Sequence, residues 1–219
     1  MRDCVGAGLL ALAAVLLLLA YATARYRRRT RVYGSADYPC IAHLERDWEA
    51  IRDEIPPFDA DRRLEYPHRS RTAWNNDEAA ELSRSLQSGW MRGWQNDADW
   101  FNFPLVYDGR PIDRAAELCP RTLELLLRHP NVRIAGYSVL MPGSTLDPHR
   151  DLTGPPHGSM AFNMLLTPGV ASSLTVGGRR HDHAAGKAVV FDATKEHSAR
   201  NHDPDRVRTI LYVDFGTAD

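Results

Sequence analysis

Cysteine is scarce in this chain of 219 residues: there are three, Cys4 adjoining a long apolar run near the amino terminus and Cys40 and Cys119 beyond it. Two are too few for a disulfide framework of the kind that staples small secreted domains. Asn-x-Ser/Thr acceptors are absent altogether, so no position carries the N-glycosylation signal. A charge excess is missing too, since 27 basic residues meet 28 acidic ones for a formal charge of −1. That balance gives no global reason to expect nucleic acid, and the basic residues gather in one local cluster rather than a stripe. Internal repeats are lacking, as is low complexity outside the apolar run. What is present, 43% hydrophobic and 25% charged residues, is ordinary globular composition, enough for one well-cored domain.

The apolar run is VGAGLLALAAVLLLLAYATA, 20 uncharged positions from Val5 to Ala24. At about 1.5 Å per residue a helix of this length spans a hydrocarbon core of roughly 30 Å, which predicts one transmembrane helix. A cleaved signal peptide is the competing reading, because Ala22-Thr23-Ala24 has the small-x-small form of a cleavage site. Against it stand Arg25, Arg27, Arg28, Arg29 and Arg31, which favour a signal anchor whose following domain faces the cytosol. The expected organisation is therefore a tail over 1–4, an anchor over 5–24, a basic juxtamembrane linker over 25–42 and a catalytic domain over 43–219.

Beyond the linker, Leu44, Trp48, Ile51 and Ile55 recur at helical spacing, predicting a helix over His43–Ile55 stopped by Pro56-Pro57. A second helix is expected near Asn76–Gln87. A third is expected over Asp113–Arg128, with Leu118, Leu125 and Leu126 turned inward and Pro130 ending it. Between the second and third, Trp90, Trp94, Trp100, Phe101 and Phe103 crowd within 14 positions; core packing beneath a loop and a substrate-contacting wall are both open readings. From Asn131 the period changes to strands: RIAGYSVLM, SMAFNMLLT, SSLTV, KAVVFD, HSARN and VRTILYVDF, with Gly177-Gly178 marking a hairpin. Helices first and strands after predict an α+β fold, a β-sandwich or jelly roll with the helices packed on one face.

The chemistry concentrates in LDPHRDLTG. His149 and Asp151 flank Arg150, so an extended backbone turns both toward one side. A third donor must come from elsewhere. Of His157, His181, His183, His197 and His202 it is His197, after 45 intervening residues, that stands out, because it follows the apolar strand KAVVFD across a short turn and opens the next strand. Two histidines and a carboxylate on one face of an ion form the facial arrangement of non-haem Fe(II) oxygenases. Arg208, eleven positions further on, has the planar fork that binds a carboxylate through two bonds. His181 and His183 in RRHDH are a competing metal pair by spacing, expected at an exposed turn.

These segments resemble the aspartyl/asparaginyl β-hydroxylase family of Fe(II)/2-oxoglutarate oxygenases, which includes bacterial lipid A hydroxylases. The resemblance covers roughly Cys119 to Phe215 and is carried in order by CPRT, YSVLMPGSTLDPH, GSMAFNMLL, GKAVVFDATKEHSARN and RTILYVDF. It implies a double-stranded β-helix, with His149 and His197 as iron ligands and Arg208 holding the distal carboxylate of 2-oxoglutarate. The implied reaction hydroxylates an unactivated C–H bond with O2 while 2-oxoglutarate becomes succinate and CO2. Members differ at the position of Asp151, so ligand and turn-capping residue are both open there. Where the family usually places a basic residue and a histidine for 2-oxoglutarate, this chain has Ala161 and Asn163; Ser138, Arg150 and Arg179 are candidates to compensate. The expected substrate is a peptide aspartyl or asparaginyl residue or a lipid acyl chain, with the membrane as partner and no nucleic acid. Rival readings are a zinc hydrolase or other cupin-like metal enzyme, and a membrane-tethered binding module whose oxygenase site has decayed.

Overall fold

Alternation of inward and outward side chains dictates the architecture. The computed structural model describes residues 2–58, 84, 86–87, 89–93, 99–151 and 159–216. Twelve strands are present among them: β1 (Val32–Tyr33), β2 (Met91–Arg92), β3 (Trp100–Tyr107), β4 (Arg110–Pro111), β5 (Val132–Leu140), β6 (Thr145–His149), β7 (Ser159–Leu165), β8 (Ser172–Val176), β9 (Arg179–Asp182), β10 (Ala188–Phe191), β11 (His197–Asn201) and β12 (Arg208–Gly216). They form a major sheet in the order β1-β10-β7-β12-β5-β3-β2, with β4 added to β3, and a minor sheet β6-β11-β8-β9. Strands β5 to β12 pass between the two sheets in the pattern of a double-stranded β-helix, and their pairings are antiparallel. The hairpin between β8 and β9 turns on Gly177 (φ 57°) and Gly178 (φ 88°), a pair of left-handed residues that a two-residue turn of this hand requires.

The two faces of the major sheet differ, the inner one carrying polar groups such as Arg208, Ser138 and Asn102 and the outer one being apolar. Its outer face, with Phe101, Phe103, Tyr137, Val139, Phe162, Met164, Leu211, Val213 and Phe215, packs against the helices in one core. Those helices are α2 (Ala42–Arg46), α3 (Trp48–Asp53), α4 (Asp113–Leu118) and α5 (Pro120–Leu127), preceded by α1 (Arg2–Thr30). Tyr137 spans the seam, its hydroxyl donating to the Ile51 carbonyl at 2.9 Å and lying 3.0 Å from the Thr122 hydroxyl. Helix α5 is capped from a distance: Glu54 accepts from the Arg121 and Thr122 amides at 2.9 and 2.6 Å, placing a carboxylate where the helix presents its unpaired N–H groups.

Several sequence expectations change in detail. The helix expected over His43–Ile55 is two, broken at Asp47 (φ −99°, ψ 18°), whose carboxylate is engaged by Arg46 and whose residue type favours helix ends over interiors. That expected over Asp113–Arg128 is also two. Pro120 forces Cys119 out of helical geometry (φ −133°, ψ 48°), and Leu118 ends up 40% exposed while Leu125 and Leu126 are buried. Of the helix near Asn76–Gln87, only residues 84, 86 and 87 are described. The juxtamembrane linker is partly structured, since β1 pairs with β10 and a short 3-10 turn covers Pro39–Ile41. The aromatic segment read as loop contains β3, obscured in sequence by Asn102 and Pro104. Among the described residues no helix is long and apolar enough to cross a membrane, so the expected transmembrane helix gains no support from the structure.

Candidate metal centre

The inner face of the major sheet forms the floor of a cavity of about 240 Å³. Register fixes its rows: Arg208, Leu140 and Trp100 lie side by side across β12, β5 and β3, then Ile210, Ser138 and Asn102, then Tyr212, Gly136 and Pro104. A side chain at Gly136 would place its Cβ 2.8 Å from the Phe103 carbonyl oxygen. Glycine thus permits the close approach of β3 and β5 and leaves that part of the floor bare.

Over this floor the minor sheet brings the metal candidates together. His149 ends β6 and His197 begins β11, paired directly across from it, with ring centroids 4.2 Å apart. Asp151 follows β6, held by its amide to the Ala193 carbonyl at 3.0 Å. One donor atom from each of His149, Asp151 and His197 lies within 4.8 Å of the others, the sole such group of three among the described residues. Nε2 of His149 is 3.7 Å from one carboxylate oxygen of Asp151 and Nε2 of His197 is 3.9 Å from the other. Cis ligands of an octahedral ion lie roughly 3 Å apart, so small side-chain rotations would close the set.

The surrounding contacts suit this role. Nδ1 of His149 lies 2.7 Å from the Asp147 carbonyl and Nδ1 of His197 lies 2.9 Å from that of Lys195. A carbonyl can only accept, so Nδ1 carries the proton in both rings and each Nε2 lone pair is left toward Asp151. Burial, and then the neighbouring His149, hold the His197 imidazole below its ordinary range, which favours the neutral form a metal needs. The Tyr212 hydroxyl donates to Asp151 at 3.2 Å; burial and the nearby Asp151 charge raise its pKa, so it remains a donor.

Arg208 lines the same cavity and is 2% exposed. Its Nε and Nη2 have no hydrogen-bond partner. Those two nitrogens form the edge of the guanidinium that grips a carboxylate through parallel bonds. Desolvation draws its pKa to about 9, still cationic at neutral pH. A buried cation without a counter-charge costs several kcal/mol, and an anionic ligand would relieve that cost.

The other expected residues divide. Ser138 and Trp100 line the cavity and join each other, the indole N–H donating to the hydroxyl at 2.7 Å. Asn163 is buried with an unpartnered Oδ1 but is not a lining residue. Arg150 and Arg179 are exposed and lie outside the lining. Trp90 is corrected: it belongs to the helix-side core, donating to the Pro57 carbonyl at 3.1 Å and packing on Phe58 and Phe103. Trp94 and His157 lie outside the described residues. His183 is corrected as well. It is buried rather than at an exposed turn, and the Arg208 charge that acts on it opposes a cation there. Sequence reasoning also missed Tyr212 as a partner of Asp151; its signal was two-residue spacing from Ile210 and Arg208 on one strand.

Fold and geometry define the class: a double-stranded β-helix with a two-histidine, one-carboxylate cluster in its mouth. The chain belongs to the aspartyl/asparaginyl beta-hydroxylase family, whose model matches residues 45–217. It is 29% identical over 190 residues to the ornithine lipid ester-linked acyl 2-hydroxylase of Rhizobium tropici, covering 84% of this chain and 59% of that protein. It is 30% identical over 139 residues to the human aspartate beta-hydroxylase domain-containing protein 2, covering 60% of this chain and 37% of that one. The chain therefore spans well under two thirds of these relatives. Among solved structures, a Pseudomonas putida prolyl-4-hydroxylase superposes with a TM-score of 0.40 at 16% identity, over 64% of this chain and 84% of that one. That superposition bears on neither activity nor substrate.

Proposed function

We propose that this protein is an Fe(II)- and 2-oxoglutarate-dependent dioxygenase that hydroxylates an unactivated C–H bond, most specifically on a lipid acyl chain. The observation that carries the reading is the pairing, in one cavity, of the His149, Asp151 and His197 donors with the empty Nε/Nη2 edge of Arg208. Three protein ligands would hold the iron and leave positions for O2 and a bidentate 2-oxo acid. Arg208 would take the far carboxylate of that acid, with Ser138, which lines the same cavity, a candidate for another polar contact. Bound iron would supply the oxidising chemistry; the chain itself would orient the co-substrate and exclude water, so no side-chain nucleophile is needed.

The acyl-chain reading rests on the lining. Leu86, Met91, Pro104, Val106, Ile134 and Leu146 present an apolar wall, suited to a hydrocarbon rather than to the backbone of a peptide. The similarity to an acyl hydroxylase points the same way. Conversion of extracted lipids by the purified protein, with a gain of one oxygen on an acyl chain, tests it; oxygen gained on an aspartyl or asparaginyl peptide instead would move the assignment to the peptide substrate. Membrane attachment through 5–24 with a cytosolic domain is part of the proposal and rests on sequence, namely the uncharged run and the arginines after it. Protease protection in sealed vesicles tests that part, since a shielded domain would reverse the orientation.

A further inference from the structure

Asn102 is a polar side chain on the cavity wall to which the proposed reaction gives no task. It is half-buried on β3, directly opposite Ser138 of β5, and Met91 of β2 lies on its other side. Residues opposed in this way stand on one face of a sheet with Cβ atoms about 5 Å apart, so the Asn102 amide and the Ser138 hydroxyl can converge on one atom. The hydroxyl is held in place. Ser138 is buried and accepts from the Trp100 indole N–H at 2.7 Å. The indole in turn lies against Gly93, where a Cβ would overlap the ring, and the Gly93 amide donates to the Trp100 carbonyl at 2.8 Å. With one lone pair of Ser138 taken by the indole, the hydroxyl proton is left to donate, and the Asn102 amide offers two N–H groups beside it.

Strand spacing sets Asn102 apart from the co-substrate. Arg208 and Tyr212, the latter bonded to Asp151, lie on β12, so a 2-oxo acid gripped by Arg208 and reaching the metal follows that strand. In the order β12-β5-β3, Asn102 is two strands away, about 10 Å. Ser138, on the middle strand, can serve either ligand, whereas Asn102 stands on the far side with Met91 and Pro104. We propose that Asn102, with Ser138 beside it, receives the carbonyl oxygen of the substrate's acyl group. On a largely apolar wall a few placed polar groups set a ligand's orientation. Two donors meeting one carbonyl here determine which end of the hydrocarbon enters and hold it in position against the metal. This rests on the acyl-chain reading above and adds a substrate-positioning residue to it.

The test compares the wild type with Asn102→Leu, which matches the amide in size without its polarity, and Asn102→Asp, which keeps its shape without its N–H donors. One readout is kcat/KM for hydroxylation of extracted lipid with Fe(II), 2-oxoglutarate and O2. The other is 2-oxoglutarate affinity, from calorimetric titration of the full chain loaded with Mn(II). Both variants are expected to lose about tenfold or more in kcat/KM, the scale of a buried carbonyl left without its donor, with 2-oxoglutarate affinity unchanged. Undiminished kcat/KM in Asn102→Leu makes the position part of the apolar wall and overturns the inference while leaving the acyl-chain reading intact. Weakened 2-oxoglutarate binding in both variants assigns the amide to the co-substrate and also overturns it. A wild type that adds no oxygen to lipid removes the acyl-chain reading and this inference together.

Discussion

Asp151 is the residue on which the metal centre turns, since both histidine Nε2 atoms face its two oxygens and Tyr212 holds one of them. Tyr212→Phe removes that hydroxyl without emptying the ring's place in the cavity. It is expected to weaken Mn(II) binding by about tenfold, the usual scale for a partner behind a ligand, with thermal stability little changed. Asp151→Gly is expected to abolish Mn(II) binding; retained binding would show that two histidines suffice. At this scale the sequence was informative where spacing alone decides: His-x-Asp on an extended segment and a histidine opening the facing strand. It failed where burial decides. Trp90 and Trp100 look alike in sequence, yet Trp90 falls on the helix side of the sheet and Trp100 on the cavity side. His183, in a polar stretch after a glycine turn, reads as exposed because nothing local reveals that the opposite sheet covers it.

Elements place these residues through register. Strands β6 and β11 meet with His149 opposite His197, and β12 puts Arg208, Ile210 and Tyr212 on one face by simple alternation. The helices matter less directly, by covering the sheet's other face. Glu54→Ala would leave two amides of α5 without their carboxylate and is expected to cost about 1–2 kcal/mol in chemical denaturation. Leu125→Ala, in the fully buried seam between α5 and the sheet, is expected to cost about 2–5 kcal/mol. Both should spare metal affinity, because neither residue lines the cavity. Strands from Asn131 onward were legible from alternation and turn residues. Strand β3 was not, because a proline and an asparagine interrupt its pattern, and the single long helices were not, because Asp47 and the Cys119-Pro120 step break a continuous apolar periodicity.

The whole molecule balances a buried, partly uncompensated polar interior against the core that encloses it. One consequence is a pH dependence. The folded-state pKa of His183 is about 3, against about 6.5 in an unfolded chain. Between these values the unfolded state binds the extra proton, so stability falls as pH drops from about 6.5 toward about 3 and the contribution levels off outside that window. Urea denaturation of the wild type and of His183→Phe across this range is expected to show a shallower slope for the variant; identical slopes would mean that the imidazole is not buried neutral. The same interior explains why the α+β jelly roll and Arg208 could be anticipated from the chain while the burial of His183 could not. Fold class follows from periodicity along the sequence, whereas the neighbours of His183, the Ser172 hydroxyl on β8 and the Arg208 charge on β12, are remote from it along the chain.

The central claim is that the His149, Asp151, His197 and Arg208 cavity supports iron-dependent oxidation of 2-oxoglutarate. Its most direct measurement is succinate formed from 2-oxoglutarate by the purified chain loaded with Fe(II) or Zn(II), with and without O2, in the presence of extracted lipid. Succinate that requires Fe(II) and O2 and disappears in Arg208→Ala is the predicted result. Turnover supported by Zn(II), or Fe(II)-loaded protein that forms no succinate with O2 and lipid present, would contradict it.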